Sequence, residues 1–107
     1  MKSLSGLYFH LEIKDNDQVF SLVRQSLEHI EQLETAGIQV KYMQLRANEL
    51  SGLCFNKEIW IKIDSDKGTY IASDASVEWT QAFTNTLKAV EEKMLYKEAD
   101  YLKPAGL

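Results

Sequence analysis

The chain is short and acidic, and it has enough apolar residues to form a folded core. Its 107 residues are 45% hydrophobic and include 12 Lys and Arg against 16 Asp and Glu, a net charge of -4. This length is typical of one domain, so residues 1–107 are predicted to form a single domain. The acidic balance disfavours a general nucleic-acid binder, which takes most of its affinity from basic residues, but it is compatible with a local basic patch.

The sequence also has the features of a cytoplasmic protein. It contains one cysteine, Cys54, so no internal disulfide can form. No apolar run approaches the roughly 20 residues that span a bilayer, and the first residues lack the apolar centre of a secretory signal. We therefore expect a cytoplasmic location and no membrane partner.

The first third of the chain predicts a strand followed by a long helix. Apolar and polar residues alternate over residues 7–13, which indicates a strand with one buried face. Capping residue types occupy positions 15–17, and an apolar stripe at helical spacing predicts a helix from about Asn16 to Thr35. Gly37 lies where a left-handed residue often terminates a helix.

The middle of the chain predicts three strands. Residues 38–45 form the second strand, with Ile38, Val40 and Tyr42 on one face, and residues 48–56 are predicted to be a loop. Isoleucines alternate with polar residues over 59–63, which indicates the third strand. Residues 64–68 predict the turn of a hairpin, and residues 69–73 form its second strand.

The last element is a second amphipathic helix. Asp74 or Ser76 is predicted to cap it, and Pro104 lies beyond its expected end near Tyr101. Its apolar stripe consists of Trp79, Phe83, Leu87, Val90 and Met94.

These elements predict an α+β fold in the order β-α-β-β-β-α. Two amphipathic helices and four strands can share one core if both helices pack on one face of a four-stranded, mainly antiparallel sheet. The opposite face would then be partly exposed. Its predicted residues are Tyr8, His10, Lys41, Met43, Trp60 and Lys62.

The sequence shows no motif for catalysis, a cofactor or a metal. Residues 64–68 resemble the start of a calcium loop. The sixth and twelfth positions of such a loop require glycine and an acidic residue but hold Thr69 and Ala75 here, so we expect a hairpin turn. His10 and His29 are outside metal-ligand spacings and are expected on the surface or on a strand face. Cys54 has no motif-linked base and is expected to be a buried or loop thiol. We therefore expect neither an enzyme nor a cofactor.

Basic residues on the last helix have two interpretations. Lys88, Lys93 and Lys97 lie within three turns of one another, with Glu91 and Glu92 between them. The simpler interpretation is a solvated helix face of mixed charge, and the alternative is a weak phosphate-binding strip.

Three stretches of the sequence resemble the ribosome hibernation-promoting factors and ribosome-associated inhibitors, also called sigma-factor modulation proteins. Leu4-Ser5-Gly6 followed by residues 11–15 is similar to that family's first strand and helix entry, with about two extra residues between the pieces. Residues 58–73 resemble its hairpin, and residues 72–79 resemble its entry into the last helix. The likeness covers about residues 4–101.

The resemblance implies a fold like the double-stranded RNA-binding domain and binding in the small ribosomal subunit, which blocks translation in stationary phase or stress. It implies that rRNA phosphates meet basic side chains, here Arg24, Lys41, Lys62, Lys88, Lys93 and Lys97. The sequence departs from the family because positions expected to be basic hold Ser26, His29, Glu92 and Tyr96. Each lost phosphate contact weakens binding.

Two functions follow as hypotheses. The first is a ribosome-associated translation regulator without catalysis. The second is an acidic protein-interaction domain of the same fold, which binds a protein partner or a second copy through a strand edge or an apolar face. The resemblance favours the first, whereas the net charge of -4 and Trp60 on the predicted exposed face favour the second.

Overall fold

The computed structural model confirms the predicted α+β order of strand, helix, three strands and helix. It describes residues 6–52 and 54–102, with the backbone alone described for residues 95–102. The elements are β1 (Gly6–Leu11), α1 (Asn16–Thr35), β2 (Val40–Glu49), β3 (Lys57–Ser65), β4 (Gly68–Ser76) and α2 (Trp79–Leu102).

The four strands form one sheet in the order β1-β2-β3-β4. β1 and β2 are parallel, since α1 carries the chain back between them, and the other two pairs are antiparallel. The sheet is therefore mixed and mainly antiparallel. The parallel register sets Phe9 opposite Leu45 and His10 opposite Arg46.

The core lies between one face of this sheet and both helices. Every second residue from Met43 to Ala47 in β2 and from Ile59 to Ile63 in β3 is fully buried there, because side chains alternate between the two faces of a strand. The strand side of the core consists of Met43, Leu45, Ala47, Ile59, Ile61 and Ile63, and the helix side includes Leu22, Ile30, Phe83 and Val90. Neither helix of the described residues packs on the opposite sheet face.

Both ends of α1 form as the local sequence predicts. The Asp15 carboxylate accepts a hydrogen bond of 2.9 Å from the Asp17 N–H and caps the first turn. At the other end Gly37 has a φ of 92°, and the Ile38 N–H donates to the Leu33 carbonyl at 2.9 Å. This is the Schellman arrangement, in which glycine accommodates a positive φ at little cost.

A β-bulge in β2 changes the face on which its residues lie. Val40 and Tyr42 pair with successive residues of β3, so Lys41 is an extra residue without a register partner. Val40 is buried on the helix side, but Tyr42 then lies on the opposite face and Met43 is fully buried. The predictions that Tyr42 shares the face of Val40 and that Met43 lies on the exposed face are therefore wrong.

The start of α2 also differs from the prediction. Asp74 and Ser76 both belong to β4, so neither caps the helix. The Ala82 N–H donates to the Glu78 carbonyl at 3.1 Å, so the helical hydrogen bonds begin at Glu78. Asp74 instead accepts a hydrogen bond of 3.0 Å from the Asn85 side chain and ties β4 to α2. β4 extends past residue 73, its predicted end, because residues 74–76 still pair with β3.

Candidate functional site

The candidate site is the sheet face that carries no helix, called here the open face. Two cross-strand rows occupy its centre, one through Tyr8, Gln44, Lys62 and Ile71, and one through His10, Arg46, Trp60 and Ser73. Tyr8 is 58% exposed and Ile71 42% exposed. The open face is therefore an accessible surface that combines aromatic and basic side chains.

Two aromatic residues meet at one side of this face. The rings of Tyr8 and Tyr42 are 6.1 Å apart and nearly perpendicular, at 77°. Tyr8 also lies over Gly6, where an added Cβ would come within 2.7 Å of the Tyr8 hydroxyl oxygen. The missing side chain at position 6 lets the Tyr8 ring rest against the strand, which holds its position on the exposed surface.

Both central cations of the open face lie over aromatic rings. The Arg46 guanidinium carbon is 5.7 Å from the Trp60 ring centroid, and the Lys62 ammonium is 5.5 Å from that of Tyr42. A hydrogen bond with the Tyr42 hydroxyl raises the pKa of Lys62, with a smaller contribution from the Asp64 carboxylate. Lys62 is therefore a fixed positive charge at neutral pH.

The positive charge of the open face is concentrated at its centre. Arg46 and Lys62 are diagonal neighbours on β2 and β3, since Arg46 pairs with Trp60 and Lys62 with Gln44, and the exposed Lys41 occupies the bulge beside Tyr42. Carboxylates lie toward the two ends, at Glu58 and Asp64. The helix layer differs, since α1 carries four carboxylates and one arginine. The local basic patch that the composition permits is thus on the sheet.

The six residues that the family resemblance selects do not come together in one place. Lys41 and Lys62 belong to the sheet, whereas Arg24 lies on α1. The Arg24 Nε atom is 4.0 Å from a Glu28 carboxylate oxygen, and both side chains are well exposed. Exposed ion pairs of this kind are weak, but the neighbouring carboxylate still reduces the attraction of Arg24 for phosphate.

The remaining three residues lie on α2. Lys88 is exposed, and the Lys93 ammonium donates to the backbone carbonyl of Ile71 on the edge strand β4. Lys93 thus reaches across to the sheet edge, where a lysine also discourages pairing with another strand. The Lys97 side chain lies outside the described residues, as does that of Tyr96. Among the side chains that the structure describes, these cations are therefore divided among the sheet, α1 and α2 rather than gathered in one groove.

Sequence reasoning missed Arg46 and Tyr42 as parts of the site. The signal was present, because Tyr42, Gln44 and Arg46 alternate with the apolar residues Met43 and Leu45. Alternation counted from Ile38 and Val40 assigns Tyr42 to the buried face. This assignment fails because the bulge lies between Val40 and Tyr42. Arg46 and Tyr42 complete the aromatic and basic centre of the open face.

His29 is buried, contrary to the expectation of a surface or strand-face position. It is 5% exposed, and its Nε2 atom is 2.7 Å from a Glu91 carboxylate oxygen, which joins α1 to α2. Its Nδ1 atom is buried without a hydrogen-bond partner among the described residues. Ser26 is also fully buried. These two positions of α1, where the family resemblance expects basic residues, therefore face the core and provide no phosphate contact.

The residues tested for metal binding or catalysis have other roles in the structure. The Asp64 carboxylate accepts from the Thr69 hydroxyl at 2.7 Å, and the Asp66 carboxylate accepts from the Gln39 N–H at 3.0 Å. Over residues 6–52 and 54–94, no three His, Cys, Asp or Glu side chains are grouped to hold a metal ion. Cys54 is exposed in the loop between β2 and β3, in agreement with a loop thiol.

No helix in the described part of the chain has both the length and the apolar character needed to cross a membrane. Comparison with protein-family models and with curated proteins gives no match to this sequence. The likeness to the hibernation-promoting factors therefore depends on the sequence stretches given above.

Proposed function

We propose that this protein is a ribosome-associated translation regulator, similar to hibernation-promoting factors, that binds the small ribosomal subunit without catalysis. The observation that carries the proposal is the open face, where Arg46 lies over Trp60, Lys62 lies over Tyr42 and the exposed Lys41 occupies the neighbouring bulge. A relationship to the double-stranded RNA-binding domain belongs to the same proposal. It is supported by the packing of both helices on one side of a largely antiparallel sheet.

The net charge of -4 is compatible with this function if binding uses the sheet rather than the helices. RNA affinity depends on the cations that reach phosphates, not on the total charge of the protein. Arg24 and Lys93 lie outside this surface and are engaged elsewhere, because Arg24 has a neighbouring carboxylate and Lys93 donates to a backbone carbonyl. Few cations remain on the binding surface, so the affinity should be modest and sensitive to salt.

Sedimentation of purified protein with purified small subunits at low salt tests this function. We expect co-sedimentation that is lost in the double variant Arg46→Gln/Lys62→Gln. The matched double variant Arg24→Gln/Lys88→Gln removes two exposed helix cations and should still co-sediment. Wild-type protein that stays entirely in the soluble fraction at low salt would reject the proposal.

A second candidate function is an acidic protein-interaction domain, and one observation favours it. Phe20 on α1 is 71% exposed, and the charged residues of this helix are mostly acidic. An exposed aromatic residue within an acidic surface suits a partner with a basic rim and an apolar pocket. Light scattering and chemical cross-linking of the wild type and Phe20→Ser distinguish the two functions. A complex that Phe20→Ser abolishes, together with no small-subunit binding, would favour this second candidate.

A further inference from the structure

The centre of the open face holds two aromatic rings that are well separated. Tyr8 lies on β1 in one cross-strand row, and Trp60 lies on β3 in the next row. Adjacent strands are about 4.8 Å apart and alternate residues along a strand about 6.7 Å apart, so the two Cα positions are about 12 Å apart. Rings at this separation can each stack on a different base.

Tyr8 offers its ring to solvent in a fixed position. The ring lies over Gly6, and its neighbour Tyr42 makes an edge contact with it. These two contacts hold the ring in place, while 58% of the residue stays exposed. A base that stacks on Tyr8 therefore meets a surface that is already ordered, which limits the entropy lost on binding.

Trp60 is partly covered by Arg46, and this contact can be exchanged for a base. A cation–π contact at an exposed site is worth about 0.5–1 kcal/mol, whereas stacking a base on an aromatic side chain is worth about 1–3 kcal/mol. A base can therefore displace the guanidinium from Trp60 or stack on the guanidinium itself. In both cases Arg46 remains beside the base, where it can meet the adjoining phosphate.

Aromatic rings and fixed cations together select a ligand with exposed bases and a phosphate backbone. In duplex RNA the bases are stacked inside the helix and cannot reach Tyr8 or Trp60, whereas unpaired nucleotides can. We propose that the open face binds about two or three unpaired nucleotides of single-stranded RNA, with bases on Tyr8 and Trp60 and phosphates beside Arg46 and Lys62. This inference rests on the proposed function, because it names the kind of rRNA segment that the open face contacts.

Fluorescence anisotropy with a labelled uridine oligonucleotide of about eight residues tests the proposal. A self-complementary duplex RNA of the same length serves as the comparison ligand. Trp60→Leu should weaken binding of the single strand by about tenfold, and Arg46→Gln should weaken it several-fold. The matched controls Phe20→Leu and Arg24→Gln remove an exposed aromatic residue and an exposed cation from α1, and both should leave the affinity unchanged.

A change in the fluorescence of Trp60 provides a second measurement. The protein has one other tryptophan, Trp79, which is buried at the start of α2. In a Trp79→Phe protein, the remaining fluorescence should be quenched by the single strand and not by the duplex. Circular dichroism establishes that each variant is folded, and Tyr8→Leu replaces Trp60→Leu in the test if the latter fails to fold.

Several results would overturn this inference. The first is an affinity for the duplex equal to that for the single strand. The second is an unchanged affinity in folded Trp60→Leu or Tyr8→Leu. The third is a loss of affinity in Phe20→Leu equal to that in Trp60→Leu. Small-subunit binding without oligonucleotide binding would refute the inference and leave the proposed function intact. Oligonucleotide binding without small-subunit binding would support the stacking site and reject the ribosomal function.

Discussion

Replacing Lys62 with glutamine should reduce the salt dependence of RNA binding by an amount that follows from the structure. Arg46 and Lys62 lie on the open face and the exposed Lys41 lies in the bulge beside Tyr42, so up to three cations can meet phosphates there. For a single strand, the logarithm of the binding constant falls with the logarithm of salt with a slope of about -0.7 per phosphate contact. Three contacts give a slope of about -2.1, and Lys62→Gln should reduce it to about -1.4.

These slopes predict a difference that is easily measured. Between about 50 and 200 mM salt, affinity should fall about 18-fold for the wild type and about 7-fold for Lys62→Gln. Anisotropy titrations with the labelled uridine oligonucleotide at four or more salt concentrations give both values. Since the Tyr42 hydroxyl raises the pKa of Lys62, its charge is retained well above neutral pH. The wild-type slope should therefore be the same at about pH 7 and 8.

The matched control for this measurement is Lys88→Gln, which removes an exposed cation from α2. It should leave the slope at the wild-type value, because Lys88 lies on the helix layer and not on the open face. Equal slopes for Lys62→Gln and the wild type would show that Lys62 meets no phosphate. A reduction of the slope in Lys88→Gln as large as that in Lys62→Gln would contradict binding by the sheet.

Three further predictions concern stability. Phe83→Ala removes a fully buried ring and should destabilise the protein by about 3–5 kcal/mol in urea unfolding, so a loss below about 1 kcal/mol would contradict its place in the core. His29→Leu loses the hydrogen bond to the half-exposed Glu91, worth about 1 kcal/mol, but removes the buried Nδ1 atom, whose lack of a partner costs about 1–3 kcal/mol. Its melting temperature should therefore equal or exceed that of the wild type, and a clear decrease would show that the link between the helices outweighs this cost. The Lys57 ammonium, 2.6 Å from Glu49, lowers the pKa of the Glu49 carboxyl below its ordinary value of 4.5. A lowered pKa stabilises the folded state above pH 4.5, and this stabilisation is lost as the pH falls through the folded-state pKa. Unfolding curves should therefore show that the wild type is more stable than Glu49→Gln at neutral pH and that the difference disappears in acid.

The first helix illustrates how much local sequence predicts. Its ends at Asn16 and Thr35 were predicted from the capping residues before it and from Gly37 after it, and both are confirmed. Caps and the apolar stripe act within one or two turns, so the information that defines them is contiguous in the chain. The burial of His29 was also encoded locally, because it lies on the same stripe as Ser26 and Leu33. A polar residue favours a surface position, so only the place of His29 on this stripe indicates that it is buried.

The open face required information from distant parts of the chain. β4 continues to Ser76 because it pairs with β3 as far as Lys57, and that pairing displaced the predicted helix caps. Lys93 was expected to meet phosphate, yet its ammonium reaches the Ile71 carbonyl, which lies 22 positions away in the sequence. Such contacts depend on how elements pack together, which no local pattern specifies.

The sequence by itself determined the number, type and order of the elements, because hydrophobic periodicity and capping are properties of neighbouring residues. Only the tertiary structure decided which side chains form the open face. In β2 the pairing with β3 leaves Lys41 as an extra residue, and this places Tyr42 and Arg46 on the open face and Met43 in the core. Side chains alternate with a period of two, so one inserted residue reverses the faces of the residues that follow it.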